Sequence, residues 1–216
     1  MAIAYVNGAT GSNVNGSPKT SLSAAAFVAT AGNTIIVGFR AMSNVTVTDT
    51  AGNTYYRVVH NYGATNIGDM SMFYAKNITG HASNVVTASG DSSGYLEICV
   101  AQYSGLDKVS PLDVGGSINN SVVSNSVTSP SFTTTQANEL IICFATIATL
   151  AATFTAGSGY TLRNATAASV FQEKIVSSIQ SSVTATITAN VSYGFGITVM
   201  TLKEEISNQA NFLAFF

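Results

Sequence analysis

The central runs of this chain carry apolar residues on both sides of a two-residue repeat. Leu96, Ile98 and Val100 form one side of a run whose other side holds Cys99 and Ala101 beside Glu97 and Tyr103. Ile35, Val37 and Phe39 likewise oppose Ile36 and Gly38, with Arg40 interrupting. This period is that of a β-strand, whose successive side chains point to opposite faces. Runs rich in Val, Ile, Thr, Tyr and Phe predict strands near 34–41, 45–49, 54–60, 70–77, 84–89 and 95–104. A second set is predicted near 139–147, 151–155, 159–163, 170–177, 182–189 and 192–203, and Gly, Asn, Ser and Asp clusters separate the runs. No stretch has a convincing helical period, and residues 7–20 read as a Gly/Asn/Ser loop.

The two sets read as copies. Asn33–Phe39 aligns with Asn138–Phe144 at an offset of 105, and the same offset pairs Thr50–Tyr55 with Thr155–Tyr160. After a loss of seven residues from the loop at 61–69 the offset becomes 98, matching Phe73 and Lys76 with Phe171 and Lys174, Val85 with Val183, and Tyr95 with Tyr193. An internal duplication of a six-strand module is the reading.

Either copy alone has apolar strands that one sheet cannot cover. The expected fold is therefore all-β, a jelly-roll-like antiparallel β-sandwich formed from two duplicated halves packed face to face. It would be a single domain over 1–203, with halves at about 30–105 and 136–203, a Ser-rich linker at 106–135, and a C-terminal tail at 204–216. A two-layer sandwich buries one face per strand, so the doubly apolar strands need a further cover, from the linker or a neighbouring subunit.

Composition narrows the function. Ser, Thr, Asn and Gly make up about 40% of 216 residues, yet the mean hydropathy is +0.31, unlike disordered chains. Eight basic residues and a net charge of −2 do not supply the stripe that nucleic-acid binding needs. The densest apolar run, Leu140–Ala145, is far too short to span a membrane as a helix, and the start of the chain shows no secretory signal. No charge lies between Lys174 and Lys203, and these uncharged strand faces are where partner subunits are expected.

Candidate chemistry is sparse. Cys99 and Cys143 lie in strand-like runs and read as buried reduced thiols. The stretch Thr48–Thr54 resembles an oxygen-rich cation loop but lacks ordered carboxylate spacing, and reads as a turn with Gly52 or Asn53 at positive φ. Glu97 and Glu173 are a conceivable carboxylate pair for glycoside hydrolysis, but isolated strand carboxylates are usually solvent-facing or salt-bridged, to residues such as Lys76 and Lys174. No catalytic residue, metal site or cofactor is assigned, and the chain reads as a non-enzyme. The densest polar and aromatic cluster, Tyr55, Tyr56, Arg57, His60, Asn61 and Tyr62, is a glycan or receptor contact candidate, since tyrosine rings stack on sugars while Arg, His and Asn hydrogen-bond them. Phe212, Leu213, Phe215 and Phe216 would form an exposed patch unless docked, on the same chain or on a neighbour in an assembly interface.

The strings Val47–Tyr55, Phe73-Tyr74-Ala75-Lys76-Asn77-Ile78, Tyr103-Ser104-Gly105 and Ser110-Pro111-Leu112-Asp113 resemble a poorly characterised group of duplicated β-sandwich modules. These occur in bacterial surface proteins and phage structural proteins. Ala137–Leu140 and Phe154–Tyr160 extend the likeness over most of 30–203, with Phe73 where the group often has Trp. The resemblance implies a sandwich in a virion or cell-surface context and no shared active site. The expectation is a bacteriophage virion structural protein, a capsid decoration, cement or fibre subunit, forming a homo-oligomer with other virion or surface proteins as partners. The alternatives are a carbohydrate-binding or adhesive module, and an extracellular filament subunit using donor-strand exchange.

Overall fold

A computed structural model describes residues 1–40, 44–61, 67–149 and 151–206, with the backbone alone for Asn61 and 117–122. The described residues form strands and no helix. The first half runs β1 (Ala4–Ser12), β2 (Lys19–Ser23), β3 (Phe27–Ala29), β4 (Thr34–Arg40), β5 (Thr46–Asp49), β6 (Tyr56–Asn61), β7 (Met70–Ala75), β8 (His81–Asn84), β9 (Val86–Gly94) and β10 (Glu97–Ser104). The second runs β11 (Leu112–Thr128), β12 (Glu139–Ile147), β13 (Phe154–Ala156), β14 (Thr161–Arg163), β15 (Ser169–Val176) and β16 (Thr186–Lys203).

All pairings among these strands are antiparallel. The first half has an inner sheet in the order β1, β10, β4, β7, β6 and an outer layer of β2, β9, β5 with the pair β3 and β8. The second half has an inner sheet in the order β11, β16, β12, β15, β14. Its outer layer is made by the far ends of two long strands: Ser126–Thr128 of β11 pairs with Thr186–Thr188 of β16, which also carries β13. Thus β16 does as one strand what β9 and β10 do as two.

Three apolar cores separate four layers. Ile35, Val37 and Phe39 pack with Val47, Val86 and Ala88 inside the first half, and Ile141, Cys143 and Ala145 pack with Ile187, Phe195 and Ile197 inside the second. The middle core joins the two inner sheets, with Ile36, Met70, Met72 and Tyr103 from one side and Leu140, Ile142, Phe144 and Phe171 from the other. Of these, Ile36, Met70, Met72, Tyr103, Phe144 and Phe171 are almost wholly buried. At roughly 1.5–3 kcal/mol each, the burial of these side chains is worth on the order of 10 kcal/mol, so the halves hold together as one body.

The all-β antiparallel sandwich expected from the sequence is present, but its arrangement differs. Each half closes a sandwich of its own, and the two lie back to back. The second apolar face of the central strands is covered mainly by the other half, and Leu106 and Leu112 of the segment expected as a linker pack in the same core. Much of the uncharged run 175–202 is covered within the chain, since Phe195, Ile197 and Val199 face the third core of their own half while Met200 and Leu202 face the middle one. The segment expected as a linker carries β11, and the expected loop at 7–20 carries most of β1. The glycines of β1 are points of close approach: a Cβ at Gly8 would overlap Asn164 Nδ2, and one at Gly11 would overlap the Ser23 carbonyl oxygen.

The two inner sheets share one strand order, but the register shifts the residue alignment. Gly38 faces Cys99 across β4 and β10. The offsets of 105 and 98 would make Cys143 face Ile197, whereas Cys143 faces Val199. Moving each block by one residue makes Phe144 the counterpart of Gly38 and Thr198 that of Cys99, and those two do face each other. Ile35, Val37 and Phe39 then correspond to Ile141, Cys143 and Ala145 on the equivalent face, and Met72 rather than Phe73 corresponds to Phe171. Gly32 and Asn138, which precede β4 and β12, become counterparts as well, and both have positive φ, 82° and 55°. The inner sheets stack in opposite order, with β6 against β11 and β10 against β15.

Candidate functional site

The Tyr55–Tyr62 cluster is divided by the strand that carries it. β6 is an edge strand, and consecutive residues point to opposite faces. Tyr55, just before it, packs on the first core and donates its hydroxyl to Asp49 Oδ2 at 2.9 Å. Tyr56 is 44% exposed and stacks on Tyr74 with centroids 5.4 Å apart, while Lys76 Nζ lies 5.4 Å from its ring centre. Arg57 instead donates to His60 Nδ1 at 3.2 Å, and His60 Nε2 is 3.4 Å from Asp69 Oδ2. Because a guanidinium only donates, His60 Nδ1 accepts in this pair and the Nε2 side faces the Asp69 carboxylate. Asn61 closes β6 through its backbone; Tyr62 lies outside the described residues, as do Phe212, Leu213, Phe215 and Phe216.

Tyr56 has neighbours that its sequence position does not disclose. Together with Asn53, Lys76, Asn77, Thr79 and Lys108 it lines an open groove of about 310 Å³. Lys76 donates to the Val109 carbonyl oxygen, and Lys108 is paired with Glu205 at 2.8 Å. Lys108 reaches the groove from the far side of the turn after β10, a long-range placement with no local signal.

The Thr48–Thr54 stretch is a turn, with Gly52 at a φ of 74°. Asp49 accepts hydrogen bonds from the Asn53 amide N–H at 2.9 Å, Asn53 Nδ2 at 2.8 Å, the Tyr55 hydroxyl, and Asn84 Nδ2 at 3.0 Å. Burial acts to raise the Asp49 pKa, but the donors outweigh it and hold the carboxyl below its usual range. Its oxygens are thereby committed to the turn. Among the described residues no three His, Cys, Asp or Glu side chains are grouped to hold a metal ion.

Of the two strand glutamates, Glu97 pins the halves together and Glu173 is paired within the second half. Glu97 is fully buried and accepts from Ser169 Oγ at 2.6 Å, the Ala168 amide at 3.2 Å and Ser12 Oγ at 3.3 Å, with Arg40 Nη1 at 3.9 Å. Glu173 pairs with Arg163 Nη2 at 2.7 Å, and the Arg163 guanidinium lies 4.3 Å from the Tyr5 ring centre. Neither carboxylate faces solvent, and arginines stand where Lys76 and Lys174 were expected as partners. Asn164 completes this seam, accepting from the Tyr5 hydroxyl at 2.9 Å and donating to the Val100 carbonyl oxygen at 2.5 Å. Both cysteines are buried and unpaired; Cys99 faces the middle core and Cys143 the third. Burial pushes the Cys143 thiol up to about 12 and raises that of Cys99 as well.

Sequence reasoning missed one buried carboxyl. Glu139 opens β12 with no exposed surface, and neither of its oxygens meets the geometry of a hydrogen bond. Burial, reinforced by the nearby Asp113, pushes it up to about 7. Asp113 itself is bound by the Thr135 amide at 2.8 Å and by the Thr135 hydroxyl. No helix among the described residues is long and apolar enough to cross a membrane. Comparison with protein-family models, with curated proteins and with solved structures gave no match.

Proposed function

We propose that this chain is a non-enzymatic structural subunit of a bacteriophage virion, a capsid decoration, cement or fibre component working as a homo-oligomer. The observation that carries the reading is the use made of the reactive side chains. Glu97 is spent on pinning the two halves, and Glu173, Asp49 and both cysteines on pairing or packing, so the molecule is a rigid block whose outer surfaces are left for contact. The virion context follows from the sequence resemblance and the uncharged, hydroxyl-rich composition. Two halves of like strand order, packed back to back, suit such a block. Gradient sedimentation of native particles, with light scattering of the purified protein, tests it. The protein should travel with a particle and exceed the mass of one chain; a monomer found only in the unsedimented fraction would overturn the reading.

A carbohydrate-binding role is the second reading, favoured by the exposed Tyr56 ring beside a groove rich in amides and hydroxyls. Aromatic faces stack on sugar rings, while Asn53, Asn77 and Thr79 supply hydrogen-bonding groups. On a glycan array, binding that Tyr56→Ala abolishes and Arg57→Ala retains would support this groove. Binding lost with Arg57→Ala alone would place the contact on the opposite face of β6.

A further inference from the structure

The groove beside Tyr56 belongs to the first half alone. The step that makes Met72 the counterpart of Phe171 makes Tyr74 that of Glu173. Tyr74 faces Tyr56 across β7 and β6, while Glu173 faces Thr161 across β15 and β14, so Thr161 is the counterpart of Tyr56. The same step sets Lys76 against Ile175. The exposed ring and its ammonium neighbour are therefore no part of the plan that the halves share, and the second half builds the same sheet order without them.

Positive charge gathers in this groove. Lys76 and Lys108, two of the eight basic residues in a chain of net charge −2, line it together, and none of its described lining residues is acidic. Asp107 and Glu205 stand outside the lining: Asp107 Oδ1 accepts the amides of Val109 and Ser110 at 2.7 and 2.8 Å, and Glu205 pairs with Lys108. The side chains of that pair are 43% and 31% exposed, so it holds weakly and gives way to a competing carboxylate. Lys76 directs a donor to the Val109 carbonyl oxygen, and an ammonium group has further donors to offer. The walls are already set. Asn53 Oδ1 accepts the Thr79 amide at 2.8 Å while its Nδ2 donates to Asp49, and the stem of Lys108 lies against Gly32, where a Cβ would come 3.6 Å from Lys108 Cε. A ligand meets a site that needs little ordering.

We propose that this groove takes an acidic saccharide, one sugar ring lying on Tyr56 and its carboxylate on the ammonium groups of Lys76 and Lys108. The proposal rests on the carbohydrate-binding reading and names its ligand class. A volume of about 310 Å³ is at the lower end of small-ligand sites, which suits one unit of a chain that continues over the open surface. A carboxylate on an ammonium group makes a charge-assisted hydrogen bond, roughly twice as strong as a neutral one, which a neutral sugar does not supply.

A glycan array carrying uronate and sialate oligosaccharides beside their carboxyl-reduced forms tests the charge, since reduction turns each carboxylate into a hydroxymethyl group and keeps the ring. The full chain should bind acidic forms, and reduction should weaken the binding by about tenfold. Tyr56→Ala should abolish it, Lys76→Gln and Lys108→Gln should each weaken it severalfold, and Lys76→Arg should retain it. Lys19→Gln, on β2 and outside the groove, should leave it unchanged. Equal binding to acidic and reduced forms, lost with Tyr56→Ala, would overturn the acidic ligand and leave the carbohydrate reading standing. No binding to any glycan would overturn both. A loss with Lys19→Gln as large as with Lys76→Gln would overturn the site in favour of attraction by overall charge. Circular dichroism melts of the variants should match the parent; for a variant that unfolds, the comparison of acidic and reduced glycans on the parent still decides.

Discussion

Gly38→Ala tests whether the two halves are matched side chain to side chain. Gly38 sits in β4 where it crosses β12, and a Cβ there would overlap Phe144 Cδ2 and fall 2.6 Å from Cγ. The Phe144 ring has little room to retreat, being fully buried and held edge-on to Phe171 at 5.5 Å. Overpacking of a well-packed core costs about 1–3 kcal/mol. Against this, replacing glycine within a strand recovers roughly 0.5–1 kcal/mol of backbone entropy. The net expectation is a loss of about 1–2 kcal/mol, or a fall of roughly 2–8 °C in Tm for a chain of this size. Urea unfolding of Gly38→Ala, Phe144→Leu and the double variant would measure it. In the double variant the smaller Leu makes room for the methyl group, so its loss should be less than the sum of the single losses by about 1 kcal/mol or more. A Gly38→Ala protein more stable than the parent, with additive single effects, would refute the contact.

Two carboxyl groups should give stability opposite slopes with pH. The Glu139 pKa is raised on folding, so the folded state holds more protons than the unfolded one between about 4.5 and 7, and stability falls as pH rises through that window. Glu139→Gln should remove this slope and raise stability at pH 8 by on the order of 1–3 kcal/mol; pH-dependent urea midpoints check it, and a parent with no slope in the window would contradict it. The Asp49 pKa is lowered on folding, so its contribution is present above the unfolded carboxylate range and fades as pH falls through the folded value. Asp49→Ala leaves the donors of Asn53, Tyr55 and Asn84 without their acceptor and should cost about 2–4 kcal/mol at pH 7, with a smaller loss at pH 3; calorimetry at the two pH values measures the difference.

Strands and class were legible because half-buried strands carry their own period, as Val86 and Ala88, alternating with Thr87 and Ser89, show. The doubly apolar strands were also a true signal, since both faces are covered. What covers them was not legible, because a second face buried by the same chain and one buried by another chain read alike. The glycines of β1 misled for a related reason: Gly8 and Gly11 read as loop residues until their neighbours from 100, 164 and 23 are in place. The alignment of the two halves sits one residue away from the pairing of their sheets, and a single step moves every side chain to the opposite face. The same alternation divided the Tyr55–His60 cluster, where adjacency in sequence suggested adjacency in space. The groove beside Tyr56 draws on residues 76, 77, 79 and 108, and the pin at Glu97 draws on residues 168 and 169, separations that leave no local pattern.

The centre of the molecule also constrains how the chain can associate. Counterpart residues of the two halves meet where β4 crosses β12, and there Gly38 receives the ring of Phe144. Two first halves packed in this way would set Gly38 against Gly38 and leave a void, while two second halves would drive one Phe144 into the other. Each half therefore fits the other and not a copy of itself. The inner faces are filled within one chain, so the homo-oligomer proposed above would have to use the outer layers, edges and ends, where Val28, Tyr95, Val123 and Tyr193 remain exposed. Substitutions in the middle core should then change stability without changing the number of chains in an oligomer, and substitutions at those exposed residues should do the reverse; light scattering beside urea unfolding on one set of variants distinguishes the two.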